Sequence, residues 1–202
     1  MSRTYHQGVS RYNPYFNGDE AYKKGRATVE TSHKDDYDKL LTIYKWGDEG
    51  IRKSVVPDMD RAVEKCTKVI QTHSMEIKGD QKNKYVILSY MLIGKARFYK
   101  GDYFPALETF NYVINEFGKS KEGKEIALEA NLWAAWCQLQ IGNTISAENY
   151  LNNVYRNKDF DKKLKDDVAA SLAQKNIQDE LWEDAYTNLR EATATANLKE
   201  DK

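Results

Sequence analysis

The side chains suited to acid–base or metal chemistry are thinly spread along this chain of 202 residues. Its three histidines, His6, His33 and His73, have no second histidine or cysteine at metal-binding spacing. His33 lies close to Asp35 and Asp36, a grouping that could hold a cation, but a solvated charged turn is the commoner reason for such a cluster. No Ser/His/Asp arrangement, phosphate-binding glycine loop or carboxylate pair in a motif is present. The sequence therefore predicts no catalytic residue, no metal site and no cofactor.

The composition favours a folded protein without a charged binding face. Hydrophobic residues make up 41% of the chain and charged residues 31%, both within the globular range. The 31 lysines and arginines balance the 31 aspartates and glutamates, which argues against a nucleic-acid partner. No run of about 18 apolar residues occurs, and the first residues, MSRTYH, are not those of a signal peptide. If the native protein is exported, we expect its signal to lie upstream of Met1.

A pair of helices recurs along the chain. The clearest copy, YMLIGKARFYKGDYFPALETFNYVINEF, runs from Tyr90 to Phe117. Gly94 and Ala96 would let its first helix approach the second closely, Gly101 and the following residues would form the turn, and Pro105 suits the first turn of the second helix. Small residues at helix contacts within units of about 34 residues are typical of tetratricopeptide repeats.

Each second helix carries an apolar stripe at i, i+4 and i+7. The four stripes are Ala62, Cys66 and Val69; Ala106, Phe110 and Val113; Ala147, Leu151 and Val154; and Ala185, Leu189 and Ala192. Their spacing exceeds the standard period, which predicts long loops at residues 75–83 and 157–165. Cys66 and Cys137 lack a Cys-x-x-Cys spacing and fall on different helices of this frame, so we expect small buried side chains and no disulfide.

The fold class predicted is all-α, a tetratricopeptide-type helical hairpin array, or α-solenoid, over residues 58–202. Residues 1–57 are predicted to form an atypical N-terminal capping segment with about one long helix and a connector. The helix is expected from Asp19, as N-cap, to His33, and the solvated connector is expected to carry a short helix near Leu40. Aromatic residues before that helix should pack on the first helices of the array.

A partner-binding groove is predicted on the first helices of the units, which line the concave side of such arrays. Aligning the small residues Gly94, Ala135 and Ala173 brings three sets of residues to this face. They are Lys95, Phe98 and Tyr99; Trp136, Leu139 and Gln140; and Gln174, Ile177 and Gln178. Of these, the partner-binding residues predicted are Lys95, Phe98, Tyr99, Trp136, Gln140, Gln174 and Gln178. Such an aromatic and amide surface suits an extended peptide or a partner helix.

Packing is the competing explanation for the aromatic residues. Trp133 and Trp136 are three residues apart and can both lie between helices, since tryptophan is usually well buried. For Trp136 the two interpretations are nearly balanced. Most of the fourteen tyrosines should also bury their rings in helix contacts.

Five stretches of sequence resemble the SprE/PorW family of Bacteroidota, over nearly the whole chain. They are SRTYH at residues 2–6, YFNG at 15–18, HKDDY at 33–37, DMDRA at 58–62 and VIQTHS at 69–74. Members are tetratricopeptide lipoproteins of gliding motility and type IX secretion, so the resemblance implies a periplasmic protein anchored to the outer membrane by lipid. The chain lacks the lipidated cysteine ahead of Ser2 and is shorter than full-length members, so we expect an N-terminal fragment.

Two functions remain open at this point. The resemblance implies a non-catalytic scaffold that joins secretion-machine proteins and touches membrane only through a lipid anchor absent from this chain. The alternative is a soluble adaptor or chaperone that captures peptide tails, typically with clustered lysines and arginines for the terminal carboxylate. Lys95 is the one cation in the predicted groove, which favours a broad protein interface.

Overall fold

The chain folds as an all-α protein, as predicted. A computed structural model describes residues 5, 8–9, 14–38, 40–77, 79–121, 123–157 and 162–200, with residues 162–163 and 195–200 described by their backbone alone. Within these ranges there are eight helices and one short antiparallel hairpin. The helices are α1 (Phe16–Ser32), α2 (Glu49–His73), α3 (Lys84–Lys100), α4 (Tyr103–Phe117), α5 (Lys124–Ile141), α6 (Thr144–Tyr155), α7 (Lys162–Gln178) and α8 (Trp182–Glu200), and the strands are β1 (Glu76–Ile77) and β2 (Asp80–Gln81).

Each helix packs on the next one along the chain. Following the predicted repeat, we group the helices as pairs: α1 with α2, α3 with α4, α5 with α6, and α7 with α8. Left-handed glycines end two of the first helices, Gly101 after α3 with φ 86° and Gly142 after α5 with φ 84°. Only Gly can adopt this backbone readily, and its N–H caps the last carbonyls of the helix. Each glycine and the next residue form a two-residue connection, which makes the two helices antiparallel. The turn at Gly101 lies where the sequence predicted it.

The predicted apolar stripes form the core between helices. Nine of their residues are fully buried: Ala62, Cys66, Val69, Ala106, Phe110, Val113, Ala147, Leu151 and Val154. In α8, Ala185 is buried while Leu189 and Ala192 are half-buried. Burying these side chains is the main source of stability for short helices, which are marginal alone.

Gly94 allows the close approach of α3 and α4. A Cβ atom at this position would lie 2.6 Å from Cε1 of Phe110, well inside van der Waals contact. The Phe110 ring in turn stacks on Trp133 of α5, with ring centroids 6.0 Å apart. Three helices therefore meet at a point that only glycine permits, and the predicted close approach is confirmed.

The helix α1 begins earlier than predicted. Asp19 lies in its first turn, where it binds Lys23 at 2.7 Å, so its assignment as N-cap is wrong. Of the aromatic residues ahead of Asp19, Tyr15 finds a packing partner, since its ring meets that of Tyr85 edge to face at 5.3 Å, while Phe16 is exposed. An acidic residue in the first turn remains favourable for the helix dipole.

Among the described residues of the connector before α2, 33–38 and 40–48, none is helical, so the helix predicted near Leu40 is wrong. Residues 40–48 are non-helical, and α2 begins at Glu49, where the Asp48 side chain accepts a hydrogen bond from the Ile51 N–H. The predicted boundary between residues 57 and 58 falls inside α2, which also contains Pro57. The helix α2 packs against α1, which lies in the segment predicted as a cap. The predicted cap therefore supplies the first helix of a pair.

The loop predicted at 75–83 contains the β1–β2 hairpin and is organised by Gln81, whose Oε1 accepts hydrogen bonds from the backbone of Met75 and Asn83. Of the other loop, predicted at 157–165, residues 158–161 lie outside the described residues, as do residues 2–4, 6 and 11–13.

Across the helices that are described, none is both long enough and apolar enough to cross a membrane.

Candidate partner-binding groove

The first helices of the four pairs lie side by side, since α3 contacts both α1 and α5, and α5 contacts α7. Together they line a cavity of about 1100 Å³, here called the groove. Its lining residues are Tyr22, Arg26 and Glu30 of α1; Lys95 and Tyr99 of α3; Glu125, Leu128, Glu129, Leu132, Trp133 and Trp136 of α5; Leu164 and Asp167 of α7; and Ile43, Tyr44, Lys45 and Trp46 of the connector.

The connector crosses one side of this groove. We call residues 40–48 the strap. The Ile43 backbone N–H donates to Oε1 of Gln174 at 2.7 Å, and the Tyr44 hydroxyl donates to the carbonyl oxygen of Asp167 at 2.9 Å. The same hydroxyl lies 3.0 Å from Oγ of Ser171. The strap therefore reaches from the first helix pair to α7.

Aromatic rings hold the strap against the groove wall. Tyr44 and Trp46 stack with an interplanar angle of 12° and ring centroids 5.3 Å apart. Trp46, only 6% exposed, meets Phe98 edge to face at 5.9 Å, while Tyr44 lies 4.7 Å from Trp136. The indole N–H of Trp136 donates to Oγ of Ser171 at 2.8 Å. This part of the predicted binding face is thus covered by the protein's own chain.

The part of the groove beside the strap has an aromatic floor. Tyr22 of α1 meets Tyr99 of α3 edge to face at 5.9 Å, and Tyr99 meets Trp133 of α5 at 6.1 Å. Trp133 also lies 4.6 Å from Trp136. Edge-to-face pairs of this kind fix ring positions, so the floor is rigid and already shaped before anything binds.

Two of the cations beside this floor are held in ion pairs. Lys95 binds Glu129 at 2.6 Å and its ammonium lies 5.3 Å from the centre of the Trp133 ring. Arg26 binds Glu30 at 2.7 Å. Arg26 and Lys45 line the groove as well, so the expectation that Lys95 is its one cation is wrong. The expectation is wrong because the repeat pattern includes neither α1 nor the strap, and these two segments supply Arg26 and Lys45.

Burial keeps the groove hydroxyls neutral. It raises the pKa of Tyr44 above its ordinary value and the pKa of Tyr22 well above it. Burial also raises the pKa of Tyr99, against the opposing effect of the Arg26 charge. None of these hydroxyls is poised to exchange protons near neutral pH. The groove is equipped to bind by packing and by hydrogen bonds.

The residues predicted to bind a partner differ in whether they line the groove. Lys95, Tyr99 and Trp136 all line the groove. Phe98 is 1% exposed, because the rings of Trp46, Trp133 and other aromatic residues surround it. Tyr99 is also mostly buried, with one edge on the cavity. Phe98 therefore supports the wall and is not itself open to a partner while the strap is in place.

The three predicted glutamines do not form one surface. Gln174 is buried, and its side chain accepts a hydrogen bond from the strap. Gln140 accepts a hydrogen bond from the Tyr103 hydroxyl at 2.8 Å and lines a second cavity of about 460 Å³ on the far side of the strap. Gln178, the last residue of α7, lines neither cavity. The reason is the strap, which divides the face that the repeat pattern treats as continuous.

The sequence reasoning missed the groove residues of α1 and of the strap. Tyr22, Arg26 and Glu30 are four residues apart, a spacing that places side chains on one face of a helix. This spacing indicates a groove face when α1 is assigned as the first helix of a pair. Tyr44 and Trp46 are two residues apart, the spacing of side chains on one face of an extended chain.

No protein-family model matches the chain, and no curated protein matches it significantly. Among the residues that the structure describes, no group of three or more His, Cys, Asp or Glu side chains is placed to hold a metal ion.

Proposed function

We propose that this protein is a non-catalytic scaffold of the tetratricopeptide type, which binds a segment of another protein in its groove. The observation that carries the proposal is the open part of the groove, a cavity with a rigid aromatic floor between helices of four successive pairs. Preformed concave sites lined by aromatic side chains are where proteins place their strongest contacts.

The tetratricopeptide assignment is supported by how the pairs are built. Small residues, Gly94 and Ala106, lie where α3 and α4 meet, and the apolar stripe repeats from α2 through α8. The first helix of every pair contributes to one shared groove. Repeat proteins of stacked helix pairs use such a surface for extended ligands.

The paired charges indicate the kind of contact that the groove makes. Lys95 and Arg26 are already bound to Glu129 and Glu30, so a terminal carboxylate finds no open cluster of cations among the described lining residues. This favours a scaffold over an adaptor that captures peptide tails. A partner segment would contact the edges of Tyr22, Tyr99 and Trp133 that remain open, each ring being 6% exposed, and would exchange hydrogen bonds with the charged rim.

The resemblance to the SprE/PorW family supports a biological setting. On this basis we propose that the scaffold acts in gliding motility and type IX secretion, as a periplasmic lipoprotein anchored to the outer membrane, with other secretion-machine proteins as partners. A scaffold in this setting needs binding surfaces and no chemistry, which agrees with a groove of neutral tyrosines and paired charges.

The test compares one substitution at two exposed sites. Glu125→Arg places a bulky cation at the rim of the groove, and Glu116→Arg makes the same change on α4, outside the groove. Each variant is used to capture secretion-machine components from solubilised membranes, with melting curves in parallel. We expect capture to fall about tenfold or more for Glu125→Arg alone, because the bulky cation would obstruct the partner segment where it enters the groove. Equal capture by both variants would place binding elsewhere.

A further inference from the structure

The strap lies in the groove as a bound peptide would. Residues 40–48 contain neither helix nor strand, and the side chains of Tyr44 and Trp46 lie together on the groove wall. A backbone N–H from Ile43 and a side-chain hydroxyl from Tyr44 bind α7. Backbone hydrogen bonds combined with pockets for alternate side chains are how proteins recognise extended segments.

One end of the strap is held independently of the groove, and the other end joins an exposed link. On one side, the Asp48 side chain caps α2, and Nη1 of Arg52 donates to the Gly47 carbonyl at 2.7 Å. Gly47 has a φ of 76°, a backbone conformation that redirects the chain at this point. On the other side, the link from α1 is exposed, including Tyr37 at 83%. Departure of the strap would therefore leave α1 and α2 in place.

Loss of the strap would uncover a defined set of groups. Phe98 and Trp136 would lose the rings that cover them, and Oε1 of Gln174 would lose its donor. Exposing a patch of aromatic surface and an unpaired buried acceptor is unfavourable unless another occupant replaces both. The occupant must supply two aromatic side chains two residues apart, with one residue between them, and a backbone N–H just before the first of them. Lys45, which separates the two rings, is exposed, so the middle residue is unrestricted.

We propose that the strap is an exchangeable internal ligand, and that the groove accepts in its place an extended segment of a partner protein with the pattern aromatic–any–aromatic. This inference rests on the proposed function and names the partner chemistry for the strap side of the groove. The strap then keeps the aromatic wall covered until a partner segment displaces it, so the partner's apparent affinity is reduced by the strap's occupancy.

The experiment supplies the strap in trans. The probe is a fluorescent synthetic peptide of residues 40–48, LLTIYKWGD, and its binding is followed by fluorescence anisotropy. It is titrated with the wild-type chain, with Tyr44→Ser/Trp46→Ser, which empties the wall, and with the control Tyr37→Ser, which changes an exposed residue outside the groove. We expect the double variant to bind about tenfold or more tightly than the wild type and the control. A peptide with serine at both aromatic positions should bind none of the three chains.

Three results would overturn the inference. One is a double variant that is folded by circular dichroism and does not bind the peptide. Another is unfolding of both the double variant and the single variant Tyr44→Ser, which would make the strap an indispensable part of the core. The third is a concentration-dependent wild-type dimer that is absent in the double variant, because the occupant would then be a second copy. If the peptide experiment fails but capture still depends on Glu125, the proposed scaffold function stands and only the strap inference is overturned. If capture does not depend on Glu125, the scaffold proposal itself is overturned.

Discussion

Ile43 donates its backbone N–H to Oε1 of Gln174 over 2.7 Å, although the two residues are 131 positions apart in sequence. The bond joins the connector of the first helix pair to the first helix of the last pair. Because Gln174 is buried, its side chain is not free to rotate toward water when the bond is lost. The contact ties distant parts of the array together in a fold whose helices otherwise pack mainly on their neighbours in sequence.

Replacing this glutamine should destabilise the whole array. Gln174→Leu keeps a similar volume but leaves the Ile43 N–H without its acceptor, at a cost of about 1–3 kcal/mol. The matched control is Gln178→Leu on the same helix, an exposed position where the change should stay within about 0.5 kcal/mol. Urea denaturation followed by circular dichroism gives both values. Equal stability of the two variants would mean that the strap is not bound to α7.

Overpacking between α3 and α4 tests the helix pairs. Ala106 is fully buried where the two helices meet, so Ala106→Leu forces extra methylene groups into a filled space at a cost of about 1–3 kcal/mol. Ala27→Leu makes the same change on the exposed face of α1 and should leave the melting temperature nearly unchanged. An undiminished melting temperature for Ala106→Leu would show that the assigned stripe does not face its partner helix.

The two cysteines should be unreactive in the folded chain. Both are buried and unpaired, and burial raises the pKa of the Cys66 thiol to about 12, which leaves little thiolate at neutral pH. We expect neither thiol to react with an alkylating reagent until denaturant is added, and both to react afterwards. A chain that loses two hydrogens on mild oxidation and stays blocked to alkylation would contain a disulfide, and the helix frame separating Cys66 from Cys137 would then be contradicted.

Alkaline pH should unfold the protein. Burial raises the pKa of Tyr90 to about 12 and that of Cys66 to the same value, so both are higher in the folded chain than in the unfolded chain. The unfolded chain then releases protons first, and stability present below about pH 9 is lost as the pH rises toward 12. Melting temperatures from pH 8 to 12 should fall, with the drop reduced in Tyr15→Phe, which removes another hydroxyl whose pKa is raised by burial. A flat profile would contradict the burial of these groups.

The helix pairs were predictable because their signal is periodic and local. Ala106, Phe110 and Val113 lie at the spacing of one helix face, and Gly101 marks a turn that favours a residue without a side chain. These features are properties of neighbouring residues, and all of them are found where the pattern indicated. The start of α1 was missed because Asp19 satisfies the rules for an N-cap and the aromatic residues before it do not resemble a helix start.

The strap could not be predicted from the same signals. Tyr44 and Trp46 lie in a charged connector without helical periodicity, and Ser171, the partner of the Tyr44 hydroxyl, is 127 positions away. A contact of this kind depends on where the finished array places α7. Local patterns therefore indicated only part of the groove, Lys95, Tyr99 and Trp136, and could not show that the chain itself would cover some of the predicted face.

Photo-crosslinking inside the native cell tests most directly whether the groove is where a partner binds. The crosslinking residue p-benzoylphenylalanine is placed at Glu125, on the rim of the groove, and in a second strain at Ile145, which is 76% exposed and lines neither cavity. Irradiation followed by mass spectrometry identifies what each position contacts. We expect the probe at position 125 to crosslink to a secretion-machine protein and the probe at 145 to give no such product. Crosslinks to that partner from position 145 alone would contradict binding in the groove.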